Sequence, residues 1–255
     1  MSKPRIILFD LETLPNLNEA LKVWPQLSNY PGLTLRATIT SIICGGWKVL
    51  GEKKTHCINA WDFARWDRDV NDDFSIVCAI YKILYKADAV ITHNGKRFDW
   101  KFLQTRLIKH GLEPLSKIHH IDTCQVAKQN LFCFNNRLNT IGSVTNSGEK
   151  MTHEGWDLWV KVHGKDPMAM LTMSTYCKQD VDLLERVYLK LRPLISGIPN
   201  YNLFTDSKVC PNCGSRRLQA NGFRITKTVK YKRLRCGDCG TTSRTDTKEL
   251  NPRTF

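Results

Sequence analysis

The hydrophobic pattern changes period several times along the chain, and each change marks an element. Residues 5–9 form a nearly continuous apolar run, as in a strand covered on both faces. Residues 38–50 (TITSIICGGWKVL) and about 54–60 read as two more strands, joined by a turn near Gly51. From 71 to 86 the period lengthens, and Phe74, Val77, Ile80, Tyr81 and Leu84 share one helical face. Residues 88–93 form a short strand broken by Asn94-Gly95. A helix over about 99–110 comes next, with Lys109 and His110 in its last turn and Gly111 closing it. Residues 118–160 mix short helices and polar turns whose order the pattern does not resolve. Residues 172–191 read as a strong helix, ended by Pro193 and Gly197. Strands first, then alternating strand and helix, imply an α/β domain with a mixed central sheet flanked by helices.

The stretch 193–207 is loop-like, and the remainder of the chain is short and β-rich. The chain therefore divides into a main domain over 1–195, a linker over 196–207, a small β unit over 208–245 and a tail over 246–255. Its 255 residues suffice for one domain of ordinary size plus such an appendage. No apolar run approaches the roughly 18 residues that span a bilayer. The start, MSKPRIILFD, reaches an Asp too soon for a signal peptide. The expected compartment is the cytoplasm, or the nucleoid if the partner is nucleic acid.

Charge sharpens the choice of partner. The net charge is +14, and residues 205–255 hold 12 Lys and Arg against 4 Asp and Glu, so a fifth of the chain carries +8 of it. A field so placed attracts polyanions, nucleic acid or an anionic membrane surface, although a merely solvated basic face stays open.

Four of the ten cysteines are paired: Cys210-Pro-Asn-Cys213-Gly and Cys236-Gly-Asp-Cys239-Gly, with 22 residues between the pairs. Glycine after the second cysteine permits the tight turn that aims N–H groups at sulfur. Two such knuckles make a closed Cys₄ zinc site, and the pattern resembles zinc ribbons, in which one Zn²⁺ replaces a core too small to fold unaided. Between the knuckles, Arg224, Lys227, Lys230, Lys232, Arg233 and Arg235 give six basic residues in twelve, with no acid. That composition suits a strand or hairpin following a phosphate backbone, with Tyr231 placed to stack on a base. A lysine-protected edge strand and a protein-docking role remain as alternatives. The other six cysteines, Cys44, Cys57, Cys78, Cys124, Cys133 and Cys177, are scattered and read as buried thiols.

Three carboxylate motifs carry the candidate chemistry. In Phe9-Asp10-Leu11-Glu12-Thr13, positions i and i+2 of a strand face the same way, so Asp10 and Glu12 project together. Side-by-side carboxylates resist burial unless a cation or a shared proton compensates; a solvated strand end at Leu14-Pro15 is the plainer explanation. In Asn94-Gly95-Lys96-Arg97-Phe98-Asp99, an Asp sits where a strand has turned into a helix, a position that N-capping alone explains. In Tyr176-Cys177-Lys178-Gln179-Asp180, Tyr176 and Asp180 stack on one helical face with Leu183 and Val187. A buried Tyr–Asp hydrogen bond would also account for that pair. Asp182 lies about 160° round the helix and should be solvated.

Taken together, Asp-x-Glu, then Asn-x-x-x-Phe-Asp, then Tyr-x-x-x-Asp resemble the three motifs of the DEDD superfamily of 3′→5′ exonucleases, tyrosine branch. The spacing between Asn94 and Phe98 is most similar to the proofreading domain of family B DNA polymerases, over roughly residues 1–195. The resemblance implies an RNase H-like fold and hydrolysis assisted by two Mg²⁺ or Mn²⁺ ions. It implies that Asp10 bridges both ions, that Glu12 and Asp180 complete the first, and that Asp99 supports the second. Tyr176 would orient the attacking water, since an unperturbed pKa of about 10 makes it a poor base. Thr13 and Leu14 would hold the terminal nucleotide, with Asn94 and Phe98 lining the single-strand path, although Phe98 also suits a core. The implied substrate is single-stranded DNA or fraying DNA 3′ ends. RNA stays open, because sugar discrimination rests on contacts near the 2′ position. A binding protein on an inactive nuclease fold is the rival from another class.

Overall fold

The computed structural model describes residues 3–15, 39–195 and 197–250. Thr38, Ser196 and residues 251–255, on which parts of the expected strand, linker and tail fall, lie outside them. A five-stranded sheet of order β3-β2-β1-β4-β5 forms the centre: β1 (Ile6–Pro15), β2 (Ile39–Val49), β3 (His56–Asn59), β4 (Ala89–Thr92) and β5 (His119–Asp122). The first three strands are antiparallel neighbours, whereas β1–β4 and β4–β5 run parallel, which makes the sheet mixed. Helices α1 (Ala64–Arg68), α2 (Phe74–Leu84), α3 (Asp99–Lys109), α4 (Thr123–Asn130), α5 (Leu138–Val144), α6 (Trp156–His163) and α7 (Pro167–Leu191) cover it.

The two faces of β1 show how sequence period becomes architecture. Ile7, Phe9 and Leu11 pack with Ile76, Val77 and Ile80 of α2 and Leu103 and Leu107 of α3. Ile6 and Leu8 point the other way, into Val181, Leu184 and Val187 of α7. Strand alternation therefore carries the next two residues of that second row, Asp10 and Glu12, along α7. Helix and sheet come close here because β2 offers no side chain at Gly46. A Cβ there would lie 2.8 Å from Val181 Cγ2 and 2.9 Å from Cys177 Sγ. Opposite, the fully buried Asp73 ties β2 to α3: it accepts the Ile42 N–H at 2.9 Å, Arg106 Nε at 2.7 Å and Arg106 Nη2 at 2.5 Å, and lies 2.6 Å from His110 Nε2. Its acceptor capacity is filled, which makes so deep a charge tolerable.

Four expectations are corrected. The last helix begins at Pro167, five residues before the expected start, because Asp166 caps it (its carboxylate accepts the Ala169 N–H at 2.8 Å) and proline suits the first turn. The 71–86 helix is shorter, Phe74–Leu84, since Asp73 is turned into the ion network as its N-cap residue. Asp182 does not simply face water: it pairs with Lys48 at 2.9 Å and receives the Thr55 hydroxyl. Of the scattered cysteines, Cys44, Cys124 and Cys177 are buried, while Cys57, Cys78 and Cys133 are partly exposed.

After α7, Ile198 and Tyr201 pack on the α7 core, and the chain enters a three-stranded sheet of β6 (Leu218–Ile225), β7 (Val229–Cys236) and β8 (Thr242–Leu250). The small unit is tied to the main domain by Arg192 Nη2, which donates to the Asn212 carbonyl at 2.5 Å, and by the Tyr201 N–H, which donates to that of Pro211 at 2.9 Å. Among the described residues no helix is long and apolar enough to cross a membrane.

Candidate active site

The parallel pairing of β1 with β4 runs from Ile6 to Leu8. Beyond it, β4 turns away towards α3, and the Leu11 N–H is met by a carboxylate instead of a strand: Asp99 Oδ1 accepts it at 3.1 Å. Asp99 is the first residue of α3, whose cap position belongs to Phe98 with no side-chain cap bond. N-capping therefore does not explain this acid; a clasp on β1 does. A register shift between Glu12 and Thr13 then bends the strand at its carboxylate end, as bulges beside functional sites do.

Across from β1, one turn of α7 presents Tyr176 and Asp180, both buried. Ligand oxygens of Asp10, Glu12 and Asp180 lie within 4.8 Å of one another. Asp99 is not in that group of three, although its charge reaches Asp10. Lys150 supplies a cation: its Nζ donates to Asp180 Oδ2 and, at 3.0 Å, to the Tyr176 hydroxyl, and stands 5.1 Å from that ring's centre. The Tyr176–Asp180 pair is thus bridged by an ammonium. His153 meets the Tyr176 ring edge-on, with centroids 4.8 Å apart.

The electrostatics are those of crowded acids held out of water. Burial first, then Asp99, Asp180 and Glu12, pushes Asp10 well above the ordinary carboxylate range. Burial and Asp180 raise Glu12 to about 8, and burial raises Asp99 to about 6. Asp180 is raised too, its burial outweighing the Lys150 charge. Burial works against the Lys150 ammonium, but Asp180 and Asp10 hold it well above the usual lysine value. Burial, with Glu12 and Asp180 nearby, keeps the Tyr176 phenol protonated far above neutrality. One ammonium faces four carboxylates. Moreover, Asp180 Oδ1, in a residue only 1% exposed, has no hydrogen-bond partner among the described residues. An orphaned buried oxygen beside two more carboxylates is what hard divalent cations fit, since they take oxygen ligands and bring the missing charge.

The other expected contacts are distributed differently. Thr13 is partly buried and its carbonyl accepts the Trp159 indole N–H at 3.1 Å, whereas Leu14 is fully buried with Ile43, Leu158 and Met173. Asn94 holds a left-handed backbone (φ 63) and donates its N–H to Asp122 at 2.8 Å. Phe98 lies parallel to Phe102, centroids 6.0 Å apart and planes within 5°. Asp122 and Lys150 were not singled out from the sequence. Asp122 caps α4 and also clamps the N–H groups of Asn94 and Lys96, so it fixes the turn that leads to Asp99. An Asp immediately before a helix start is a readable cap signal.

In the small unit, all four paired cysteines present sulfur within 4.8 Å of one another. Cys210–Cys239 and Cys213–Cys236 Sγ distances are both 3.6 Å. A tetrahedron with Zn–S near 2.3 Å has edges of about 3.8 Å, so the sulfurs suit that ion. Gly214 (φ 73) and Gly240 (φ 72) take the left-handed turn that ends each knuckle. Arg224 on β6, Lys227 in the turn and Lys232, Arg233 and Arg235 on β7 are exposed. Lys230 lies over the Phe223 ring at 3.8 Å, and Tyr231 is covered on one face by Arg244 at 4.4 Å.

Residues 40–192 match the family model of the RNase H superfamily. The chain belongs to that family. The matched span of this RNase H superfamily chain takes in Asp99, Tyr176 and Asp180, with Asp10 and Glu12 lying before it. No curated protein matches the sequence. Among solved structures, the fold is similar to that of the family B DNA polymerase of the archaeon Pyrobaculum calidifontis, with a TM-score of 0.54 and 14% identity. That likeness covers 75% of this chain but 25% of the polymerase. At that identity it speaks for the RNase H-like fold alone.

Proposed function

We propose that this protein is a metal-dependent 3′→5′ exonuclease of the tyrosine branch, acting on single-stranded DNA or frayed DNA ends. The observation that carries the reading is the cluster of Asp10, Glu12 and Asp180 with its unpartnered buried oxygen. Those three and Asp99 would hold two Mg²⁺ or Mn²⁺ ions. Such ions supply charge screening at the phosphate and lower the barrier to attack by water. The chain's own groups do the rest. Asp99 holds the end of β1 through the Leu11 N–H, fixing where Asp10 and Glu12 point. Tyr176, kept protonated, is a donor that orients a water and not a base that removes its proton. Lys150 neutralises part of the cluster and holds the Tyr176 oxygen in place. In the small unit, Cys210, Cys213, Cys236 and Cys239 would hold one Zn²⁺, and the basic β6–β7 hairpin would add affinity for nucleic acid without taking part in the chemistry.

The deciding experiment incubates purified protein with Mg²⁺ or Mn²⁺ and end-labelled single strands of DNA and RNA of equal sequence. Metal-dependent release of mononucleotides from the 3′ end of DNA is expected, with closed circles resistant. Rapid cutting of circles would make the protein an endonuclease, and faster loss of the RNA would transfer the proposal to exoribonuclease.

A further inference from the structure

Two phenylalanines stand bare in the loop whose end lines the active-site cleft. Phe132 and Phe134, in the loop between α4 and α5, are 107% and 98% exposed, while their neighbours Leu131 and Cys133 pack on the core. In extended chain, alternate side chains face the same way, so burying Leu131 and Cys133 turns both rings outward, roughly 6.6 Å apart along the backbone. Rings of this size carry about 150–250 Å² each, an apolar area that soluble surfaces seldom leave unused.

The loop is held in place and leads to the acids. The Asn136 carbonyl lies 2.8 Å from His93 Nε2, next to the turn that presents Asp99. Asn135 Oδ1 accepts the Arg137 N–H at 2.9 Å and the Thr140 hydroxyl at 2.8 Å. From its end a cleft of about 520 Å³ runs to Asp10, lined among others by Lys128, Asn136, Arg137, Asn139 and Lys150. Asp10 is the single acid among the described lining residues. The cleft thus holds the Asp10 carboxylate together with the basic side chains of Lys128, Arg137 and Lys150, and its wall includes Asn136 and Arg137 from the loop that carries the two aromatic rings.

We infer that Phe132 and Phe134 form a stacking platform for the single strand, taking bases on the 5′ side of the bond to be cut while Lys128 and Arg137 track its phosphates. The inference rests on the exonuclease reading and deepens it by naming where the strand runs. A backbone advance of roughly 6.6 Å between the two residues is about two base steps of 3.4 Å, which suits unpaired bases; stacking of this kind tolerates any sequence.

The test uses the full-length protein and the variants Phe132→Ala, Phe134→Ala, the double replacement, and Phe132→Trp with Phe134→Trp. Binding of a labelled single strand of about ten nucleotides is measured with Ca²⁺ in place of the active metals, and KM is compared between that strand and a dinucleotide. Each alanine should weaken strand binding roughly 5- to 150-fold. The rise in KM should be larger for the long strand than for the dinucleotide, and tryptophan should restore what alanine removes. Wild-type affinity and KM in the double alanine variant would overturn the platform; retention of a protein partner lost on the same replacement would assign the rings to docking. If the wild-type protein bound strands but cut none, the exonuclease reading would fail, and the alanine effect on binding would still decide the platform. Binding by no variant and no wild-type protein would overturn both.

Discussion

Glu12→Gln removes one charge from the acid cluster and keeps its shape, so its effect on stability is set by proton linkage. Glutamate ordinarily titrates at 4.5, and in the folded protein burial and the neighbouring Asp180 raise Glu12 to about 8. Between those values the folded chain holds more protons than the unfolded one, so stability falls as pH rises through the window. A shift of this size corresponds to about 4 kcal/mol at about pH 8, at ~1.4 kcal/mol per unit. Glu12 is only partly buried, and solvent screening reduces the figure to about 2 kcal/mol. At about pH 5.5 the same reasoning leaves under ~1 kcal/mol. Metal-free Glu12→Gln protein should therefore be more stable than wild type at the higher pH, with a melting temperature some 4–8 °C higher, and the gap should narrow on acidification. Comparing the two proteins at each pH cancels the partly buried histidines His93 and His120, whose lowered values act in the opposite sense. Added Mn²⁺ should reverse the order, since it compensates the carboxylates of wild type and finds one ligand fewer in the variant. Thermal melts at both pH values, with and without Mn²⁺, read all four quantities. If Glu12→Gln melted no higher than wild type without metal at the higher pH, or gained as much from Mn²⁺, the cluster would not be the repulsive, cation-seeking site described.

Asp180→Ala should abolish hydrolysis while the fold persists, whereas Asp182→Ala should keep turnover and lose about 1 kcal/mol, because Lys48 retains Glu185 at 2.7 Å; activity assays and urea melts separate the two. Asp73→Ala should cost about 3–5 kcal/mol, measured by denaturant unfolding, because it strands the buried Arg106 charge far from the acids. Each of Arg224→Ala, Lys227→Ala and Lys232→Ala should reduce the log–log salt slope of strand binding by roughly 0.7, and unchanged slopes would send the hairpin to a protein partner. Cys213→Ser should lower the zinc content measured by elemental analysis and leave Mn²⁺ binding at the carboxylates, because thiolates and carboxylates select different metals.

What could be read from the sequence was whatever a local period dictates. The two-residue repeat of β1 places Asp10 and Glu12 on the face that Ile6 and Leu8 begin, and the helical repeat of α7 sets Tyr176 over Asp180. The start of α7 is hidden because Met168 and Leu171, two of its first three large apolar residues, face solvent and break the periodic face. Only the Asp166-Pro167 cap announces it. Residues 118–160 were unreadable for a related reason. Strand β5 has four residues, and α4, α5 and α6 have eight or fewer, too short for a period to assert itself against the polar turns between them.

The groups that were missed all arrive through tertiary contact. Lys150 sits in an irregular segment, where nothing in Gly148-Glu149-Lys150-Met151 marks one lysine among many; its role exists because α7 holds a buried carboxylate within its reach. Asp182 illustrates the converse. Its helical angle turns it away from Asp180 and leaves it partly exposed, yet solvent is not its only neighbour, because β2 brings Lys48 to that side. A helix phase says which residues leave the core and is silent on what meets them. The same holds for Phe132 and Phe134, which in sequence are two more apolar positions and in structure are the most exposed of those that the core declines among the described residues. Local period and electrostatics together therefore point to the four acids, whereas exposure and charge point to the strand's path beyond them. For that reason the alanine and tryptophan replacements at the two rings test more of the functional reading than a further carboxylate variant could.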